Sequence, residues 1–377
     1  MPVKKTIIFE SFNGKLPSDN PYYIWMELEK ELSENKEWKI YWGIKKGLLS
    51  EAKIKFPEIN FISRFSMKWL WHMTTASYWV FNSRMPHWLK KNKKTIYIQT
   101  WHGTPLKKLG INIETVKMPG AITNLYHQNF IKETKRWDYL IAPNQYSMDI
   151  FKDAFKFENK FLSIGYPRND MLVQKKDDNK FIEKLKEKII GHSKGRIFLY
   201  APTWRDDYYI EKGVYKFNLP FSLEKLLQKM RSSDTLIIRP HYLVKDLIDI
   251  SGYEDRVLVC SDAEINELFL ISDLLITDYS SVMFDYSILL KPIMLYAYDF
   301  EHYKDELRGF YVDIEKNSPG EFIKSEEIFY NEIEKFEVSE YMMKFEERLR
   351  LFQLLYNNWE KGTASESVKR LILSYKD

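Results

Sequence analysis

The chain has 377 residues, 45% hydrophobic and 29% charged, with a formal net charge of +4. That length exceeds the usual reach of one hydrophobic core and predicts two domains, while so small a net charge gives little support to nucleic-acid binding. The single cysteine, Cys260, excludes an intramolecular disulfide and a Cys-rich zinc site; in the strand-like run Arg256 to Cys260 it reads as a buried structural thiol.

Residues 1–10 carry an apolar run too short for a signal peptide and interrupted by Glu10, and they read as holding a first strand at Thr6 to Glu10. No run of about eighteen apolar residues occurs, and a cytoplasmic protein is the expectation. Further strands are predicted at Trp38 to Gly43, Tyr78 to Phe81, Thr95 to Gln99 and Tyr139 to Ala142. Amphipathic helices at Tyr22 to Leu32 and Gln145 to Phe155 alternate with them, a βαβ pattern that implies a parallel sheet. With 25 Tyr, 24 Phe and 11 Trp, the chain is unusually aromatic. Phe61 to Met73 mixes aromatics with basic residues at helical spacing, and Arg84, His87, Trp88, Lys90, Lys91, Lys93 and Lys94 extend the cluster. It reads either as an interfacial helix on anionic lipid headgroups or as a core-facing helix with solvated charges.

The charged stretch Gln174 to Lys180 reads as a linker. The alternation then restarts. Strands are predicted at Arg196 to Tyr200, Thr235 to Ile238, Val257 to Val259, Leu274 to Ile276 and Ile293 to Tyr296, with helices at Leu223 to Met230, Ile265 to Ile271 and Val282 to Leu290. The expected domains are 1–173 and 174–377, with the last helices packing back on the first domain.

Two segments follow strand patterns and open what read as helices, the position where α/β folds place ligands. In Gln99-Thr100-Trp101-His102-Gly103-Thr104-Pro105, Thr104 fits an N-cap and Pro105 the first helical position. Gly103 permits close backbone approach by a ligand, and His102 projects from the turn. Lys107 and Lys108 would then sit in a first turn, where the helix dipole disfavours cations and an anionic ligand would compensate. A capped turn with two solvated lysines is the alternative. In Thr277-Asp278-Tyr279-Ser280-Ser281, Ser280 or Ser281 can cap the next helix and leave backbone N–H groups for a phosphate, with Asp285 one turn further in. Arg239-Pro240-His241, Thr203-Trp204-Arg205-Asp206 and Gly165-Tyr166-Pro167-Arg168-Asn169-Asp170 also end strand patterns, and their cations are suited to neutralising a diphosphate. The P-loop, the dinucleotide fingerprint, the zincin motif and the nucleophile elbow are all absent. No Asp-x-Asp triplet occurs either.

Taken in order, the blocks QTWHGTPLKKLG (99–110), GYPRND (165–170), YAPTWRD (200–206), RPH (239–241), ITDYSS (276–281) with Asp285, and RGF (308–310) resemble the CDP-glycerol:poly(glycerophosphate) glycerophosphotransferases of Gram-positive wall teichoic acid synthesis, with their CDP-ribitol and capsule relatives. The resemblance implies a GT-B-like α/β fold of two Rossmann-type domains facing a central cleft. It implies His102 as catalytic base, with His241 in the same site. Arg205, Arg239, His241, Thr277, Asp278, Ser280, Ser281, Asp285 and Arg308 are the expected donor contacts, Asp285 by extension from other nucleotide sites of this fold. Trp101, Gly103, Thr104, Lys107 and Arg168 are the expected acceptor contacts. The implied donor is CDP-glycerol or CDP-ribitol, with no metal required. The implied acceptor is a polyprenyl-diphosphate-linked polymer at the cytoplasmic face of an anionic membrane, with no nucleic acid involved. A GT-B glycosyltransferase or nucleotide-sugar epimerase shares the helix-start phosphate site but not the whole series of blocks. A non-catalytic surface-binding protein would leave both histidines without a purpose.

Overall fold

A computed structural model describes residues 2–32, 37–116, 122–191, 194–203, 209–211, 214–215, 219–240, 248–261, 263–301 and 309–374. They form two compact units, residues 1–170 with 358–377 and residues 171–357.

In the first unit the strands are β1 (Lys4–Glu10), β2 (Lys39–Ile44), β3 (Phe61–Ser63), β4 (Ala76–Phe81), β5 (Ile96–Gln99), β6 (Tyr139–Ala142) and β7 (Lys160–Ser163). They pair in the order β3-β2-β1-β4-β5-β6-β7, every neighbour parallel. Both faces of such a sheet are covered, so its central strands must be apolar on both sides. On β4, Trp79 and Phe81 enter one aromatic cluster with Trp69, Tyr97, Trp137 and Phe155. The alternate residues Tyr78 and Val80 enter a second cluster on the opposite face, as the two-residue period of a strand requires. Helix α1 (Asp19–Leu32) contributes Ile24, Trp25 and Leu28 to that second cluster.

Phe61 to Met73 is not one helix. Its first residues pair as β3 with β2, and helix α3 (Met67–Thr75) begins only after Ser66, whose side chain accepts from Trp69 N; helix α2 (Leu49–Lys55) precedes both. Pairing removes 61–63 from the helical pattern that spacing alone suggests. Helices α4 (Thr123–Thr134) and α5 (Gln145–Ala154) complete the coverage of this sheet.

The second unit opens with helices α6 (Asp170–Lys175) and α7 (Asn179–Ile190). The predicted linker is therefore the end of one helix and the start of the next, joined by Asp178, whose carboxylate accepts from Phe181 N and from Lys175. Its parallel strands are β8 (Ile197–Tyr200), β11 (Thr235–Ile238), β12 (Val257–Val259), β13 (Leu274–Thr277), β14 (Ile293–Tyr296) and β15 (Phe322–Ile323), ordered β12-β11-β8-β13-β14-β15. A two-stranded antiparallel pair, β9 (Tyr209–Glu211) and β10 (Val214–Tyr215), lies apart from that sheet. Helices α8 (Leu223–Lys229), α9 (Ile265–Ile271), α10 (Val282–Tyr286), α11 (Glu326–Lys335) and α12 (Val338–Tyr356) complete it. The predicted helix 282–290 is cut short: α10 has five residues and passes into a 3₁₀ turn at Ser287–Leu289 that ends on Leu290 at φ 51°. Cys260 lies just past β12 and is only partly buried.

In each parallel sheet the first strand, by chain order within that sheet, is flanked by the second and the fourth. This is the doubly wound order in which connections diverge at a topological switch point. The switch lies between β1 and β4 in one unit and between β8 and β13 in the other.

The C-terminal helix α13 (Ala364–Leu373) belongs to the first unit, where Val368 and Ile372 join the cluster containing Ile24 and Leu28. Asp170 holds its start, accepting from Ala364 N at 2.9 Å and Ser365 N at 2.7 Å. Asp170→Ala removes acceptors for two helix-start donors, and the expected loss is about 1–3 kcal/mol. Denaturant unfolding should register that loss, and hydrogen exchange should place the faster-exchanging amides in α13.

Candidate active site

In the first unit the switch point is built from the exits of β1 and β4. Leaving β4, Asn82 is fully buried; its Oδ1 accepts from Phe12 N at 2.8 Å and its Nδ2 donates to Asp19 Oδ2 at 2.5 Å. Asp19 also pairs with the buried Arg168 guanidinium at 2.5 Å. Asn20 donates to Trp101 O at 3.0 Å and accepts from Arg168 N at 3.1 Å. Trp101 N donates to Gln99 Oε1 at 3.0 Å, so side chains hold both polar groups of the Trp101 backbone. Trp101 at φ 53°, Phe12 at 44°, Asn13 at 60° and Asp19 at 59° all adopt left-handed conformations. Each costs on the order of 1 kcal/mol or more for a residue with a Cβ and persists only where surroundings over-determine it.

This scaffold presents His102. Its ring stacks on Trp101 with centroids 4.6 Å apart and meets Phe12 edge-on at 5.7 Å. Nδ1 lies 2.7 Å from the Asn82 carbonyl oxygen. A carbonyl can only accept, so Nδ1 carries the proton and Nε2 keeps its lone pair. Desolvation by surrounding protein lowers the His102 pKa below the ordinary imidazole value; Asp19 and the Asn82 carbonyl oppose this, while Arg168 and Arg84 add to it. The residue nevertheless keeps exposed surface. An exposed residue with dense protein around it describes a concave position, and a neutral imidazole there is a ready proton acceptor.

The residues after Pro105 do not form the predicted helix. Residues 104–109 are irregular, and only a 3₁₀ turn at Gly110–Asn112 follows. Thr104 therefore caps nothing, and Lys107 and Lys108 oppose no helix dipole. The Pro105 carbonyl instead accepts from Tyr146 OH at 2.7 Å, and Lys108 pairs with Glu114 at the surface. Gly103 and Thr104 are buried beside His102.

In the second unit the same device recurs. Leaving β13, Asp278 accepts from Thr203 N at 2.8 Å, and Thr277 Oγ1 donates to the Ala201 carbonyl at 2.7 Å. Tyr279 turns inward, donating to Asp299 at 3.1 Å and packing against Phe300 and Phe310. Three of the five residues in the TDYSS block are thus structural, which leaves Ser280 and Ser281 as its partly open positions. Ser281 makes no side-chain cap, and Ser280 Oγ only weakly accepts from Val282 N, at 3.4 Å. Asp285 is buried at 6% exposure rather than turned outward on the helix. The Arg239 guanidinium donates to the Cys260 carbonyl at 2.8 Å, tying the exits of β11 and β12 together. His241, Arg205 and Arg308 lie outside the described residues.

The structure thus gathers Trp101, His102, Gly103, Thr104 and Arg168 around the first switch point, and Thr277, Asp278, Ser280 and Ser281 around the second. Sequence reasoning missed Asp19, Asn20 and Asn82, whose roles come from strand order. It also missed Glu10 at the end of β1, buried at 1% exposure, which accepts from Trp69 Nε1 at 2.6 Å and Arg64 Nε at 3.0 Å. Among the described residues no group of three or more His, Cys, Asp or Glu side chains could hold a metal ion. Nor is any helix there long and apolar enough to cross a membrane.

Residues 1–374 match the model of the family described as CDP-glycerol:poly(glycerophosphate) glycerophosphotransferase. A teichoic acid poly(glycerol phosphate) polymerase of Bacillus spizizenii is 45% identical over 98% of this chain and 92% of its own length. A teichoic acid glycerol-phosphate transferase of Staphylococcus aureus is 42% identical over 99% of this chain and 94% of its own. Among solved structures, a histidine-to-asparagine variant of the wall teichoic acid polymerase TagF soaked with CDPG superposes with a TM-score of 0.90. It is 38% identical, and the match covers 98% of this chain and 89% of that one.

Burial pushes the Glu10 carboxyl from its ordinary value of 4.5 up to about 7, against the opposing pull of Arg64 and Trp69. The folded chain therefore holds this proton where the unfolded chain has released it. The resulting stabilisation is complete below pH 4.5 and is lost as pH rises through about 7. Relative to Glu10→Gln, which cannot ionise, the parent should lose thermal stability between pH 5 and pH 7.5. Parallel melting curves of the two proteins across that range would remove Glu10 as a titrating core group.

Proposed function

Because the chain belongs to the CDP-glycerol:poly(glycerophosphate) glycerophosphotransferase family, we propose that it transfers glycerol phosphate from CDP-glycerol to a hydroxyl of a teichoic-acid-type acceptor, releasing CMP. The observation that carries the catalytic reading is the 2.7 Å contact between His102 Nδ1 and the Asn82 carbonyl. It supports the tautomer in which the Nε2 lone pair is available to act as base.

In the proposed step the acceptor hydroxyl gives its proton to His102 Nε2 as its oxygen forms a bond to the β-phosphorus of the donor. The bond from that phosphorus to the bridging oxygen breaks, and the electron pair leaves with CMP. Positioning and charge stabilisation carry most of the rate enhancement in such a reaction. Trp101, Gly103 and Thr104 line the acceptor side, and Arg168 acts through Asp19 to hold it. Ser280 and Ser281 meet the donor phosphates, with Arg239, Thr277 and Asp278 shaping that region, and Asp285 supports it from within. His241, Arg205 and Arg308 are further donor contacts on the strength of their motifs. Glycerol is favoured over ribitol because the two relatives at 42–45% identity are named for glycerol phosphate.

The acceptor is proposed to be polyprenyl-diphosphate-linked and met at an anionic membrane surface. Phe65, Met67, Trp71 and Trp88 are exposed by 52%, 81%, 47% and 53%. Lys4 lies over the Trp71 ring and Arg64 over the Phe65 ring. Exposed aromatics beside cations suit a headgroup interface.

With purified protein and a lipid acceptor, CMP release from CDP-glycerol is expected and release from CDP-ribitol should be much slower; equal rates would end the glycerol assignment. His102→Ala should lower turnover by a factor of about 10²–10⁴ while leaving the affinity for CDP-glycerol intact, and near-normal turnover would remove it as base. The parent's acidic limb in kcat/KM should lie below the ordinary imidazole range, as the lowered His102 pKa requires. Replacing Ser280 and Ser281 together by Ala should weaken CMP binding in calorimetry; an unchanged affinity contradicts the phosphate contact.

A further inference from the structure

Beside His102, and within the first unit, a cavity of about 360 Å³ is lined by Asn13, Arg64, Arg84, His87, Asn129 and Glu133, together with Met85 and Pro86. Its volume suits a small polar group and its chemistry is that of an anion site. Two guanidiniums line it, each held by groups that leave it able to bind.

Arg64 is fixed through Nε to the buried Glu10, and its Nη2 lies 3.5 Å from Asn13 Oδ1. Its side chain is 8% exposed, so it enters the cavity already desolvated and oriented. Arg84 rests on the rings of Phe130 and Tyr126, with Cζ 4.5 and 5.2 Å from their centroids. Such stacking occupies the face of the guanidinium and leaves its N–H donors in the plane. Among the described residues no carboxylate forms an ion pair with Arg84. The one carboxylate in the lining, Glu133, is committed elsewhere: Oε1 accepts from Met85 N, Tyr97 OH and Trp137 Nε1, and Oε2 meets Arg136. Asn13 and Asn129 add neutral polar groups.

The cavity lining and His102 are joined through neighbouring residues. Arg84 stands two residues after Asn82, whose carbonyl binds His102, and Asn13 follows Phe12, whose ring touches His102. Arg84 is close enough to lower the His102 pKa.

We propose that this cavity binds a phosphodiester of the acceptor, the one nearest the attacking hydroxyl, with Arg64 and Arg84 clamping its oxygens and so setting that hydroxyl before His102. This rests on the glycerophosphotransferase reading above and adds to it the acceptor feature that is recognised. An acceptor ending in glycerol alone would lack the anchor. A chain ending in glycerol phosphate would present it once per added unit, so each product would be recognised as the next acceptor. A phospholipid headgroup carries the same phosphodiester chemistry, and the exposed Phe65 and Trp88, their rings 6.0 Å apart, stand next to the cavity-lining Arg64 and His87 in sequence. The position beside His102 favours the acceptor.

The test uses the full chain and two water-soluble acceptors that differ only in charge, one ending in glycerol–phosphodiester–glycerol and the other with that phosphodiester methylated to a neutral triester. The parent should prefer the charged acceptor, and Arg84→Gln should reduce the charged-to-neutral ratio of kcat/KM by about tenfold or more, the scale of a lost charge-assisted contact. The KM for CDP-glycerol should not move. Asn129→Ala, which removes no charge from the fold, should reduce the ratio less but in the same direction. A ratio equal to the parent's in Arg84→Gln overturns the proposal. So does a variant that keeps the ratio while losing sedimentation with phosphatidylglycerol vesicles, which would assign the cavity to headgroups. Calorimetry with glycerophosphoglycerol decides the site independently of turnover: affinity at least about tenfold weaker in Arg84→Gln supports it, and equal affinity overturns it. Absence of CMP release by the parent with either acceptor would instead refute the glycerophosphotransferase reading.

Discussion

Everything described around the site depends on one constraint, the need to satisfy backbone groups where two adjacent parallel strands end and their connections diverge. At that place the sheet supplies no further strand to pair with the departing chain, and a buried N–H without a partner is costly. Both units answer with the first side chain after the fourth strand of the parallel sheet. Asn82 takes Phe12 N in the first, and Asp278 takes Thr203 N in the second. A short polar side chain at this position ties two loops at once and opens a crevice between them. That crevice is where an α/β sheet can hold a ligand.

The first unit elaborates this tie into a network. Asn82 reaches Asp19, Asp19 reaches Arg168, and Asn20 joins Arg168 to the Trp101 backbone. Four residues with side chains are held at positive φ around it. Strain of this kind needs rigid surroundings, and the aromatic cluster of Trp101, Trp137, Phe151 and Phe155 provides them. The product of that rigidity is a histidine with a defined tautomer and a fixed ring plane. Arg168 is part of that rigid network, its guanidinium paired with Asp19.

The second unit spends the same device differently. Thr277, Asp278 and Tyr279 secure the loop from within, so the block recognised in sequence as a phosphate motif owes much of its composition to packing. The helix that follows is only five residues long. Its dipole is correspondingly small, so a phosphate held there as proposed would rely on the hydroxyl and amide groups of Ser280 and Ser281 more than on a macrodipole.

Periodicity and punctuation were enough to locate most strands, because central strands of a doubly covered sheet must be continuous apolar runs; Tyr139–Ala142, Thr235–Ile238 and Ile293–Tyr296 fall where the pattern puts them. The ordered motifs were enough to identify the family and to single out His102 and the two serines. Local pattern failed where tertiary pairing overrode it. Phe61 to Ser63 joins a sheet edge despite helical spacing, and the run after Pro105 has the signals of a helix start yet stays irregular. What the sequence could not determine was strand order, because order is fixed by which faces bury together across many residues and leaves no local signature. Strand order brings Asp19 and Asn82 to His102, holds Arg64 on Glu10 and sets Arg64 and Arg84 around one cavity. The histidine was legible as a residue, and only the fold gave it a defined hydrogen-bond partner and a lowered pKa.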